Sequence, residues 1–301
     1  MKLAALPVGL LLVSAIFMRG RASGQPAGNR ITILYDAFGK PSALTKDWGY
    51  AALIEYGGKR ILFDTGNNAE IFRHNVATLN ANLKNLDFVV LSHRHGDHTS
   101  GMNYVLSVNP HVRIYTPHEI SQFGTPVMPG IVSATKRRIA SLPDYMHYFD
   151  GQPPQLGPNG SPWPNANFTQ IDKTTEIAPG FFLISTVSDA TGTKEMHEIS
   201  LAFRTPEGLV LVVGCSHPGI LKIVNEAAGI DGRIYSVFGG FHLLSTSDED
   251  VERIARELHD TWKIATIAPG HCGGLGAFAA LQDRYKDKYV YTGLGTSNPL
   301  P

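Results

Sequence analysis

The sequence predicts an α/β protein in which two sheets pack face to face and helices cover them on the outside. Three observations predict it. Short apolar runs rich in β-branched residues are followed by stretches with helical periodicity, first in the N-terminal half and again in the C-terminal half. Several of these runs end on glycine next to histidine or aspartate, which puts reactive side chains at strand ends. No internal repeat of solenoid length is visible.

Composition sets the bounds. The 301 residues are 43% hydrophobic and 17% charged, enough for a substantial core. Basic and acidic side chains both number 26, so there is no basic excess of the kind that nucleic acid requires. Lys2 followed by the apolar run Leu3 to Met18 and the small residues Ala22-Ser23-Gly24 predicts a signal peptide over residues 1–24, cleaved after Gly24. The run is short for a membrane span and contains Pro7. Cleavage removes Lys2, Arg19 and Arg21, leaving 23 basic side chains against 26 acidic. The expected product is a mildly acidic, periplasmic or secreted protein with no stable membrane association.

The elements follow in order. Residues 30–38 alternate as a strand. Tyr50 to Tyr56 and Arg60 to Phe63 flank Gly57-Gly58 as a hairpin, and the second strand ends in Asp64-Thr65-Gly66. Asn68 to Asn80 has the apolar spacing of a helix (Ile71, Phe72, Val76, Leu79), and Phe88 to Leu91 is a buried strand. A helix is expected from Thr99 to Leu106 and a strand from His111 to Tyr115. From His118 to Lys173 prolines crowd together with Tyr145, Tyr148, Trp163 and Phe168. The aromatics favour a cover over the active site rather than a disordered excursion, and a dimer contact is the other use of such a segment. Strands return at Phe181 to Val187, Ile199 to Phe203, Leu209 to Val213, Ile234 to Phe238 and Ile264 to Ala268. Helices are expected over Ile220 to Ala227 and Asp248 to Asp260. A single domain over residues 30–301 with an insertion near 118–173 accounts for this order.

The densest chemistry lies directly after Phe88 to Leu91. Ser92-His93-Arg94-His95-Gly96-Asp97-His98 holds four potential metal ligands in six residues, imidazole and carboxylate being what zinc and similar ions take. On an extended chain His93 and His95 face one side and can share an ion. Asp97 and His98, past the glycine, can turn toward a second. A solvated histidine-rich loop is the bland alternative, and four potential ligands at one strand end weigh against it.

This stretch resembles the His-x-His-x-Asp-His signature of the metallo-β-lactamase superfamily, whose fold is a four-layer αββα sandwich. The resemblance extends from about Arg30 onward. It implies two divalent metal ions, zinc first, with iron or manganese as alternatives. It implies that Asp64 orients the metal loop from beneath, and that His271, in Pro-Gly-His, joins Asp97 and His98 on the second ion. His217 is assigned with His93 and His95 to the first ion. Here the chain departs from the superfamily. The usual third histidine falls earlier, where His197 stands, and Cys215 occupies the place of a bridging aspartate and is itself a candidate ligand. Gly-Cys-Ser-His-Pro-Gly, Gly-Gly-Phe-His-Leu and Gly-His-Cys-Gly-Gly together resemble the branch of dihydropterin–ribofuranosylaminobenzene phosphate synthase-like proteins. His242 belongs to that pattern, as a ligand for metal or for an anionic group of the substrate. Cys215 and Cys272 are the only cysteines, open to pairing, to ligation or to remaining buried thiols.

The expected function is hydrolysis of an ester, lactone, lactam or phosphodiester in a small-molecule substrate by metal-activated water, with Asp97 as ligand and catalytic group. The rivals are a pterin-type condensing enzyme of the same branch and a non-catalytic periplasmic metal- or ligand-binding protein. No Gly-x-Ser-x-Gly elbow and no phosphate-cradling Gly-Lys-Ser/Thr loop is present. Oligomeric state is left open.

Overall fold

A computed structural model describes residue 1 and residues 28–118, 142–148, 163 and 165–301. The expected signal peptide beyond Met1 and most of the proline-rich stretch lie outside the described residues. In chain order the first half runs β1 (Arg30–Tyr35), β2 (Ala51–Tyr56), β3 (Lys59–Phe63), α1 (Ala69–Thr78), β4 (Phe88–Val90), α2 (Gly96–Thr99), α3 (Met102–Val108), β5 (Arg113–Pro117) and β6 (Asn167–Ile171). The second half runs β7 (Thr175–Ala178), β8 (Phe181–Val187), β9 (His197–Thr205), β10 (Gly208–Val213), α4 (Ile220–Ala228), β11 (Ile234–Gly240), α5 (Asp248–Arg256), β12 (Thr266–Gly270), α6 (Leu275–Tyr285) and β13 (Ser297–Pro299).

The strands form two sheets, ordered β13-β1-β2-β3-β4-β5-β6 and β12-β11-β10-β9-β8-β7. Three apolar layers separate four structural layers. Ile33, Ile54, Ile61, Val90, Leu201, Val210 and Phe238 fill the space between the sheets. Leu62, Val89, Phe72, Val76 and Val105 seal α1 and α3 onto the outer face of the first sheet. Leu209, Leu211, Ile223, Val251, Ala277 and Leu281 do the same for α4, α5 and α6 on the second. This is the αββα sandwich, and it arises because both faces of each sheet carry apolar side chains that must leave water. Leu34 shows the consequence. Alternation assigns it to the polar side of β1, yet it is fully buried against the helix layer, because both faces of the sheet are covered at this position.

Strand direction places the chemistry. β3, β4, β5 and β6 run parallel, as do β10, β11 and β12, so their carboxyl ends gather on one edge of the sandwich. That edge is where open parallel sheets present ligand-binding loops.

Several elements depart from the sequence expectation or were not foreseen. β6 lies inside the stretch read as a cover and extends the first sheet beside β5. α6 and the edge strand β13 follow the strand expected to be the last. α5 ends at Arg256 and passes into one wider turn over Glu257–Thr261. The helical turn expected at Thr99 begins at Gly96, so Asp97 and His98 ride on it.

Candidate metal centre

His93 and His95 do not owe their convergence to strand alternation, since β4 stops at Val90 and both lie on the loop beyond it. The loop is shaped by buried hydrogen bonds. Asp64 Oδ1 accepts from Ser92 N at 2.7 Å, and Asp64 Oδ2 accepts from Ser92 Oγ at 2.7 Å. With its single proton so used, Ser92 Oγ accepts from His93 Nδ1 at 2.9 Å, which leaves His93 Nε2 with its lone pair. Asp64 Oδ2 also accepts from His98 Nδ1 at 2.6 Å, which fixes a proton on Nδ1 and turns Nε2 toward the other donors. Asp64 is thus bonded directly to His98 and, through Ser92, to His93. The backbone is pinned as well: Tyr50 N donates to Asp97 O at 3.2 Å and Thr65 N to His98 O at 2.7 Å. Gly49 is required there, because a Cβ would collide with Asp97 O. Gly214 plays the matching part on β10, where a Cβ would strike Ser92 Oγ.

The second sheet delivers the rest. His217, His242 and His271 follow the ends of β10, β11 and β12. The ligand atoms of His93, His95 and His217 lie within 4.8 Å of one another, and so do those of Asp97, His98 and His271. His98 Nε2 and His271 Nε2 are 3.1 Å apart, as are His93 Nε2 and His95 Nδ1. Asp97 Oδ2 stands 3.4 Å from His271 Nε2. Donors sharing a tetrahedral ion at about 2.0–2.3 Å sit roughly 3.3–3.8 Å from each other, so this spacing fits metal ions. Buried polar atoms support the same conclusion. Among the described residues Asp97 Oδ1, both ring nitrogens of His217 and His271 Nδ1 are buried without a hydrogen-bond partner, a costly state that a bound ion or its water relieves.

Cys215 is more central than its place in the sequence suggested. Its Sγ is 3.2 Å from His98 Nε2, and it groups with His93 and His98, with His217 and His242, and with His271 and Cys272. Both cysteines are buried free thiols, and Cys272 Sγ donates to Cys215 O at 3.5 Å. His242 is exposed at the pocket mouth with its ring 4.2 Å from that of His217. His197, the other candidate for the third position, begins β9 half-buried and belongs to none of the donor groups among the described residues.

Electrostatics divide the two groups. Burial, reinforced by neighbouring histidines, holds His93 and His217 well below the ordinary imidazole range and brings His95 to about 4, so all three are neutral with lone pairs available. Burial opposes charge on His98 also, but the carboxylates of Asp97 and Asp64 draw it up to about 9. Burial would raise Asp97, yet His98 and His271 hold it below the usual carboxylate range, ionised. This side of the pocket favours positive charge, which a cation supplies.

Sequence reasoning missed three supports. Glu198 is fully buried and accepts from the backbone N–H groups of Cys215 (3.0 Å), Ser216 (2.7 Å) and His217 (2.8 Å). Asp36, also fully buried, accepts from His271 N at 2.9 Å and Ala37 N at 2.7 Å. Burial pushes both carboxyls up to about 7 against the pull of these donors. Tyr148, from the proline-rich stretch, donates its hydroxyl hydrogen to His271 O and accepts from Gly274 N at 3.0 Å, while its ring packs edge-on to Trp48. The described part of that stretch therefore buttresses the His271 loop. Asp36 had a legible signal, since it ends β1 as Asp64 ends β3. Glu198 was hidden beside His197, which drew the attention as a ligand type.

A family model described as the metallo-beta-lactamase superfamily matches residues 47–271. A protein of Methanocaldococcus jannaschii named 7,8-dihydropterin-6-methyl-4-(beta-D-ribofuranosyl)-aminobenzene-5'-phosphate synthase is 30% identical over 280 residues, covering 86% of this chain and 92% of that protein. The crystal structure of Tm1679, described as a metal-dependent hydrolase of the beta-lactamase superfamily, superposes with a TM-score of 0.67 at 25% identity, over 90% of this chain and 99% of that one. The metallo-beta-lactamase fold protein YhfI from Bacillus subtilis shares the fold with a TM-score of 0.52 at 12% identity, over 90% of this chain and 99% of that one.

Proposed function

The chain belongs to the metallo-beta-lactamase superfamily. From that membership and the site just described we propose that it is a hydrolase using two divalent metal ions, and from Lys2, the apolar run Leu3 to Met18 and Ala22-Ser23-Gly24 that it is exported. The observation that carries the reading is the pair of adjacent donor groups, His93–His95–His217 and Asp97–His98–His271, with buried ring nitrogens and a carboxylate oxygen left without partners. The ions, when bound, supply Lewis acidity that activates water near neutral pH and polarises a carbonyl or phosphoryl oxygen. Zinc suits a set of imidazole and carboxylate with a thiol beside it; manganese suits it less.

The chain's own groups do the remaining work. Asp64 and Ser92 hold His98 and His93 with Nε2 directed into the pocket. Asp97 is ionised, and its unpartnered Oδ1 orients a water or accepts its proton. His242, exposed at the mouth, is placed to meet an anionic substituent of the substrate. The substrate class is an ester, lactone, lactam or phosphodiester. The hydrolase described for Tm1679 supports this class of chemistry.

The test is metal analysis of protein purified without added metal, with His95→Ala alongside. About two equivalents in the wild type, falling sharply in the variant together with hydrolysis of a substrate panel, is expected. A folded wild type that takes up no metal even when it is supplied overturns the reading.

A second reading has its own support in the 30% identity to the Methanocaldococcus jannaschii synthase over nine-tenths of that protein. On that reading the same centre joins a reduced pterin to a ribofuranosylaminobenzene phosphate. Metal-loaded protein that forms such a product and hydrolyses nothing in the panel decides for the synthase.

A further inference from the structure

We propose that Glu198 is the positioning residue of the first metal position, holding His217 through its backbone and so controlling that position separately from the second. The inference rests on the two-metal reading and goes beyond it by giving each position its own brace.

Glu198 sits in β9, one strand away from the strand end it supports. Its side chain is fully buried. Both oxygens are committed to one turn: Oε1 accepts from Cys215 N and Ser216 N, and Oε2 accepts from His217 N. A carboxylate gathering three consecutive backbone donors fixes the curvature of that backbone. The turn needs fixing, because Ser216 lies in the left-handed region at φ 62°, a conformation that costs a non-glycine residue of order 1 kcal/mol or more unless its surroundings hold it. A further bond ties the same turn down, from Ser216 Oγ to Gly240 O at 2.7 Å. The product of this bracing is a His217 ring, 5% exposed, that points among His93, His95 and His242 with neither nitrogen bonded to protein. Among the described residues no hydrogen bond orients the His217 ring, so its aim is set by the backbone and by the rings it packs against.

The second position is braced elsewhere. Asp97 and His98 ride on α2, tied to Asp64 and to the β2–β3 backbone. His271 N is held by Asp36 and its carbonyl by Tyr148. Loss of Glu198 therefore loosens the third donor of the first group and leaves the second group's supports intact.

The test is cobalt(II) titration of the purified, metal-free full chain, followed by absorption spectroscopy, with Glu198→Gln, Glu198→Asp, His217→Ala, His271→Ala and the double variant Glu198→Gln/His217→Ala. The wild type is expected to bind two equivalents. Glu198→Gln is expected to bind one of them about 10- to 100-fold more weakly. Its cobalt spectrum should match that of His217→Ala and differ from that of His271→Ala. The double variant should bind no more weakly than His217→Ala alone, since both changes act on one donor. Glu198→Asp keeps the charge on a shorter arm and should give a smaller loss at the same position; it carries the comparison where Glu198→Gln does not fold. Folded Glu198 variants that bind both equivalents as the wild type does, or that weaken both equally, overturn the proposal, as does an additive double variant. A wild type that binds no cobalt overturns the metal reading itself, a distinguishable result.

Discussion

At the scale of single residues, the pocket is governed by buried carboxylates that stand behind the candidate ligands. Asp64, Glu198 and Asp36 each accept hydrogen bonds from one histidine-bearing loop, and each is fully buried. Their position explains why several backbone residues hold left-handed angles, including Asp64 at φ 55° and His271 at φ 43°: the surrounding hydrogen bonds hold a shape the chain alone would not keep. Asp64→Asn makes the clearest case. The amide has one acceptor oxygen where the carboxylate has two, so His98 Nδ1 and Ser92 cannot all be served. Zinc affinity, read by chelator competition, is expected to fall about 10- to 100-fold. Unchanged affinity would remove Asp64 from the support of the centre. The first histidines were legible in the sequence because four potential ligands crowd into six residues. Glu198 was not legible, because a carboxylate that serves backbone N–H groups across a sheet has no local pattern.

At the scale of elements, the helices show what periodicity and end signals decide. α1 begins at Asn68, whose side-chain oxygen accepts from Glu70 N at 2.9 Å and Ile71 N at 3.1 Å, and its apolar stripe seats Phe72 and Val76 on the first sheet. Asn68→Ala removes both bonds. Urea unfolding should show a loss of about 1 kcal/mol with the metal content unchanged, since α1 supplies no donor. α5 is opened in the same way by Ser247, whose Oγ accepts from Asp250 N. α6 escaped sequence reading for a physical reason. It is buried on nearly every face (Ala277, Phe278, Ala279, Ala280, Leu281) and so has no polar stripe to mark a period. β6 escaped because its residues are mostly exposed and polar, and its identity as a strand comes from pairing with β5.

At the scale of the whole molecule, the candidate centre joins the two sheets. Ser92 O accepts from Ile199 N of β9 at 2.8 Å, and the two donor groups each draw on loops from both halves of the chain. On the two-metal reading, ions bound there would act as cross-links that the unfolded chain cannot bind with the same geometry. Each site filled at 100 times its dissociation constant adds about 2.7 kcal/mol to stability. Treatment with a strong chelator is therefore expected to lower the melting temperature by roughly 5 °C or more, and added zinc to restore it. A melting temperature indifferent to chelator would mean that the ions bridge nothing.

The sequence by itself determined the sandwich and the first cluster of donors, because hydrophobic periodicity and ligand spacing are local properties of a chain. It also carried the histidines at the ends of β10, β11 and β12. Only the tertiary structure decided which of them meet. His217 lies with His93 and His95 while His197 does not, and Cys215 stands next to His98, 117 positions earlier in the chain. Those partnerships depend on the packing of one sheet against the other and on carboxylates buried between loops. Such contacts form between residues far apart in sequence, where spacing along the chain holds no information about distance.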